Sequence, residues 1–386
     1  MKLNNNKIIF KIIVCCSIIC FLVCHFVNNS IAQRNDIYDV VLFWGQSNMV
    51  GYCGVKQNEC VKDIRFDSSD SNEINKFSRI TGIDANILSC SKQENWIQIK
   101  PETNTAYEYM YLSDSLKPIT EETEVLGEKL KYNLNTNELE LSVDKKFSIQ
   151  QSYGTNIIPQ FCKTYYEKTG HKVIVVFAAN GGEKIANFLP STCVDYGDAK
   201  KQMIYESMVE KFNAAIRYME RANLRVGNRL WVAFQGESDV RRTSTDDYRR
   251  LFQKVHDSLK EDLKITKAAI VETSHTIGSN FYLQLNNINK AQKQLALDND
   301  DIIIGSSYAY DRYIPNEQTY NSVNYYNELF TDEKGKKLPY TQAFRIASYS
   351  VCYPNNTIHL TSAALCQIGK ETAERLADSF KRDSKY

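Results

Sequence analysis

The sequence predicts an α/β fold of three layers, built around an open parallel sheet of about five strands. Two observations carry this prediction. Five short segments are almost wholly apolar, rich in β-branched and aromatic residues and without alternation, and apolar residues at helical spacing fill stretches between them. Strands of that composition are covered on both faces, as parallel strands are, and right-handed crossovers then place helices on either side of the sheet.

The first strand is Val40 to Trp44. Residues 63 to 151 break the alternation: they are rich in Asp, Glu, Ser, Asn and Lys and form a long insertion before the second strand, Val173 to Ala178. Ile204, Met208, Phe212, Ile216 and Met219 fall on one face of a helix that leads to the third strand, Leu230 to Phe234. Tyr248, Phe252, Val255 and Leu259 mark the next helix, with Asp246 as a candidate cap and His256 on its polar side. The fourth and fifth strands are Ala268 to Val271 and Ile302 to Ile304. A second insertion, 315 to 339, is rich in Tyr and Asn, and a last helix after Thr361 carries Leu365, Ile368, Leu376 and Phe380. Both insertions are expected as surface loops, either decorating the fold or walling a cleft. No internal repeat is present.

Composition sets the class. With 43% hydrophobic and 24% charged residues among 386, the chain can bury a large core and is not disordered. Residues 1 to 32 hold Lys2, Lys7 and Lys11, an apolar run from Ile12 to Val27, and small residues at Ser30 and Ala32. That is the layout of a secretory signal peptide, and 33 to 386 then form a single domain in a secreted or lumenal protein with no stable membrane association. The remainder carries 44 basic and 46 acidic residues, which gives no electrostatic reason to expect nucleic acid as a partner. Cys53, Cys60, Cys90, Cys162, Cys193, Cys352 and Cys366 allow up to three disulfides in an oxidising compartment, and no Cys-x-x-Cys pair suggests a metal.

The informative residues follow the strands, because in an open parallel sheet ligands sit beyond the carboxyl ends. The first strand runs into Gly45-Gln46-Ser47-Asn48-Met49-Val50-Gly51, the second into Asn180-Gly181-Gly182, the third into Gln235-Gly236-Glu237-Ser238-Asp239, and the fourth into Ser274-His275. A serine becomes nucleophilic when a histidine takes its proton. His171 precedes the second strand, at the far end of the sheet, which leaves His275 and His359 as candidates for Ser47. The N–H groups of Ser47, Gly181 and Gly182 and the amide of Gln235 are suitable in kind as donors to an oxyanion, and none of this chemistry calls for a cofactor.

These blocks resemble the carbohydrate acetylesterases related to sialate O-acetylesterase, a branch of the SGNH hydrolases. The Gly45 to Gly51 and Trp231 to Asp239 blocks are the specific ones, with Asn180-Gly181-Gly182 and Asn356 to His359 in the matching order. The resemblance implies a flavodoxin-like sheet, an acetylated carbohydrate as substrate, an acetyl-enzyme on Ser47 and His359 as the base. It also implies oxyanion donors from Ser47, the glycine turn and Gln235. Gln46, Asn48, Asn180, Glu237 and His275 are left as substrate-binding or supporting residues.

The sequence departs from that pattern at Asn356, where the family places Asp. Three outcomes are open. The carbonyl of Asn356 orients His359, as asparagine does in Cys-His-Asn enzymes; or Asp311, after the fifth strand, takes the role; or turnover is lost and a carbohydrate-binding protein remains. Asn355-Asn356-Thr357 is also a glycosylation sequon.

Overall fold

The computed structural model describes residues 36–51, 70–89, 91–92, 95–96, 101–120, 126–143, 147–152, 154–193, 203–274, 278, 280–332, 334–348 and 359–383. The predicted signal peptide, Asn355, Asn356 and His275 lie outside these residues.

A sheet of seven strands spans the domain. Its strands are β1 (Ile37–Gly45), β2 (Ala106–Met110), β3 (Ser115–Pro118), β6 (Lys172–Ala179), β7 (Arg225–Phe234), β8 (Lys267–Val271) and β9 (Ile302–Ser306), in the spatial order β9-β8-β7-β1-β6-β2-β3. A separate hairpin, β4 (Leu130–Asn133) with β5 (Glu138–Leu141), stands apart from it. All five strands read from the sequence are present. The expected count of about five is corrected by two more from the first insertion: β2 pairs parallel to β6, and β3 antiparallel to β2.

Alternation inside the apolar runs explains the layers. Side chains of a strand point to opposite faces in turn, so Val41 and Phe43 of β1 enter one core while Val40, Leu42 and Trp44 enter the other. The first core packs against α4 (Ile158–Thr169) and α11 (Ser362–Asp383), with Phe43 edge-on to Phe161 at 5.1 Å. The second packs against α5 (Ile204–Arg221), α6 (Thr245–Leu263) and α7 (Tyr282–Asp298), where Trp44 meets Trp231 at 5.7 Å and Phe252 at 5.4 Å. The remaining helices are α1 (Ser47–Val50), α2 (Ser71–Thr81), α3 (Ala85–Ser89), α8 (Tyr308–Asp311), α9 (Glu317–Asn321) and α10 (Tyr340–Ser348).

Two details of α6 differ from expectation. Its N-cap is Ser244, whose hydroxyl accepts from the Asp247 N–H at 3.1 Å, two residues before Asp246. His256 is not on the polar side: it is buried, edge-on to Trp231 at 5.7 Å and 3.3 Å from the Asp301 carboxylate. The helix turns that position inward because β7 and the loop before β9 both pack over it, and burial lowers the imidazole pKa.

His171 stands where the sequence places it, at the amino end of the sheet, 3.0 Å from the buried Asp39 carboxylate. Tyr165 and Asn228 also donate to Asp39, at 2.7 and 2.6 Å, so this end is a closed structural network. Among the described residues no disulfide forms, and Cys162 and Cys193 are free thiols.

Candidate active site

Strand register brings the motif blocks to one level. Gly45 pairs with Ala179 of β6 and with Phe234 of β7, so Gln46, Asn180 and Gln235 leave the sheet side by side. Gly45 makes the departure possible: at φ 144° its backbone lets the Gln46 N–H reach the Phe234 carbonyl at 3.1 Å, where a Cβ would stand 2.1 Å from that oxygen. Ser47 opens α1 at this point and is partly exposed, whereas Gln46, Asn48, Met49 and Val50 around it are buried.

Glu237 organises the turn. Its buried carboxylate accepts from Gln46 Nε2 and, at 2.7 Å, from Asn48 Nδ2, so the residues on both sides of Ser47 are held by one acid. Burial raises the Glu237 pKa, and the donors from Asn48, Gln46 and Thr273 oppose that rise. Asn48 also accepts, through Oδ1, the N–H of Leu360 at 3.3 Å, which ties the residue next to His359 to the residue next to Ser47. His359 is largely buried, and burial lowers its pKa below the ordinary 6.5, so the imidazole is neutral at pH 7 and able to accept a proton.

The hydroxyl of Ser47 makes no hydrogen bond among the described residues, to His359 or to any other. Asp311 lies beyond β9, where Arg312, Lys293, Glu371 and Arg375 set its field.

The candidate oxyanion donors are differently placed. Gln235 directs Nε2 to Asp239 Oδ2 at 2.6 Å and to the Glu183 carbonyl at 3.3 Å, and its Oε1 accepts from Tyr248. Its amide is thus occupied within the protein. The Gly181 N–H donates to Gln150 Oε1 at 3.0 Å. The Ser47 and Gly182 N–H groups have no acceptor among the described residues, and space beside Gly182 is open. Asn180 donates its side-chain amide to the carbonyls of Phe147 and Ser148, at 3.2 and 3.3 Å, and so holds the end of the first insertion against the site.

Two supporting residues escaped the sequence reading. Asp239 is buried and receives Gln235, Thr243 and the Ile185 N–H, fixing the loop after β6 to the loop after β7. Its signal was present in the Gln-Gly-Glu-Ser-Asp block, four residues from Gln235. Gln150 lies in the polar insertion and carries no pattern that marks it. Among the described residues no cluster of His, Cys, Asp and Glu is arranged to hold a metal ion.

Residues 37–311 match the family model for carbohydrate esterases described as sialic acid-specific acetylesterase. Similar solved structures include a protein from Arabidopsis thaliana, 16% identical over 89% of this chain and 98% of that one, with a TM-score of 0.46. NanS is 12% identical over 90% of this chain and 98% of its own, with a TM-score of 0.47. A carbohydrate acetylesterase from Xanthomonas citri is 12% identical over 89% of this chain and 56% of its own, with a TM-score of 0.40. No curated protein matches the sequence.

Proposed function

The chain belongs to the carbohydrate esterase family of sialic acid-specific acetylesterases, and from that premise we propose that it is a secreted enzyme removing O-acetyl groups from carbohydrate through an acetyl-enzyme on Ser47. The observation that carries this reading is the Asn48 carboxamide, bonded at once to Glu237 and to the Leu360 N–H, because it joins the serine block, the Glu-bearing block and the histidine loop.

Ser47 Oγ attacks the acetyl carbonyl carbon while His359 takes the hydroxyl proton. The N–H groups of Ser47 and Gly182 are the donors left for the oxyanion, each worth on the order of 100-fold or more in rate. The bond from carbonyl carbon to sugar oxygen breaks, and His359 returns its proton to that oxygen. Water then attacks the acyl carbon, again giving its proton to His359, and acetate leaves as Ser47 regains the proton. The N-terminal apolar run supports secretion.

One observation favours a second reading, a secreted carbohydrate-binding protein without turnover: Asn356 stands at the position of the acid. Acetate release from an aryl acetate and from acetylated oligosaccharides, beside Ser47→Ala, separates the two. The esterase reading expects Ser47→Ala to lose on the order of 1000-fold or more in kcat. Equal rates for the two proteins sink it, and saccharide binding without acetate release establishes the second reading.

A further inference from the structure

Beyond the carboxyl ends of β8 and β9 lies a cavity of about 700 Å3, walled by Tyr282, Tyr310, Tyr313, Tyr325 and Tyr326. α7 opens with Tyr282 after β8, and α8 follows β9 directly, so the cavity occupies the same edge of the sheet as Ser47. β9 is three strands from β1, about 14 Å at the usual strand spacing. An oligosaccharide covers such a span and a single monosaccharide does not. We propose that this cavity is a subsite for a neutral sugar unit of the glycan whose acetyl ester is cleaved at Ser47, an inference that rests on the esterase reading.

The lining fits that ligand. A pyranose ring presents a face of C–H groups, apolar and weakly electropositive, that stacks on the negative face of an aromatic ring. Tyr282 and Tyr313 stack with centroids 6.0 Å apart and planes 10° apart, and Tyr325 meets Tyr282 edge-on at 5.3 Å, which makes a rigid wall. Tyr326 is 63% exposed and meets no other ring among the described residues, so its face is available at the rim. The carboxylates of Asp311 and Glu328, in the same lining, make no hydrogen bond among the described residues and can accept from sugar hydroxyls.

The acids of the lining favour a neutral sugar over an acidic one as the occupant. The cation of the lining, Arg312, is committed: Nε donates to the Thr81 carbonyl at 2.6 Å, and its guanidinium lies 3.6 Å over the Tyr308 ring. Asp311 and Glu328 repel a ligand carboxylate, and Arg312, which would attract one, is turned to Thr81 and Tyr308.

The test is calorimetric titration of the Ser47→Ala protein with neutral hexasaccharides of xylose, of mannose and of N-acetylglucosamine, and with sialyllactose as the anionic arm. At least one neutral hexasaccharide binds; adding Tyr326→Ala weakens it about tenfold, the worth of one stacked ring, while Tyr326→Phe keeps the affinity. The proposal is overturned if no neutral saccharide binds, if Tyr326→Ala binds as tightly as its parent, or if sialyllactose binds most tightly in a Tyr326-dependent way. Acetate release by the wild-type protein is measured separately: tyrosine-dependent binding without any release sinks the esterase reading and leaves the sugar site standing.

Discussion

Asn48 and Leu360 are 312 residues apart in the chain and share a hydrogen bond, and Glu237 sits on the other side of the same carboxamide. A serine and a histidine brought from the two ends of a chain need such a brace, since a misplacement of about 1 Å costs on the order of 100-fold in rate. On the proposed mechanism Glu237 would act through Gln46 and Asn48 without touching the substrate. Glu237→Gln keeps the shape of the side chain but replaces one acceptor oxygen by an NH2 group, which must then face either Gln46 Nε2 or Asn48 Nδ2, both donors. We expect kcat on an aryl acetate to fall on the order of 100-fold with KM little changed, because binding surfaces are untouched while Ser47 loses its register. A variant whose KM rises and whose kcat holds would remove Glu237 from this role.

The turn from β1 into α1 is the element on which the site depends. Gly45→Ala would put a methyl group 2.1 Å from the Phe234 carbonyl and force a left-handed φ on a residue that resists it. The expected cost is about 3 kcal/mol or more, seen as a lower urea midpoint, together with lost esterase activity as the Gln46 to Phe234 bond parts; a wild-type midpoint would contradict it. Elements differed in how far the sequence revealed them. The five strands were legible because burial on both faces leaves uninterrupted apolar runs. β2 was not, because Glu108 stands in the middle of Ala106–Met110 and breaks the run, and its charge is answered only by residues from other elements. His256 reads as polar by spacing, yet a helix covered by both β7 and a loop has no wet side there. The motif blocks place Ser47 and Glu237 at one edge of the sheet, but which amide protons are already spent, as at Gln235 and Gly181, depends on partners in other loops.

For the whole molecule, the first insertion is part of the sheet and is anchored to it by buried charge. At its outer edge β3 carries Lys117 and Pro118, exposed, which blunts further strand pairing. Toward the core, Glu128 accepts the Tyr111 and Leu112 N–H groups at 2.6 and 3.0 Å, and Lys211 of α5, itself buried, stands 3.7 Å from Glu128 and donates to the Phe177 carbonyl. Glu108 accepts the Gly127 N–H at 2.6 Å, and burial pushes its pKa up to about 7 against the opposing pull of Lys211. This sets a direction for the stability of the domain. Below the ordinary carboxyl range, near pH 4.5, Glu108 is protonated in both the folded and unfolded chain and contributes no pH dependence. Between there and about pH 7 only the folded protein keeps the proton, so raising the pH favours unfolding, and above that the full cost is present. The displacement corresponds to about 3 kcal/mol. Glu108→Gln, whose side-chain oxygen can still accept from Gly127, removes the titration. Urea midpoints measured from pH 5 to pH 8 are therefore expected to fall less steeply for Glu108→Gln than for the wild type; parallel slopes would show that Glu108 keeps an ordinary pKa.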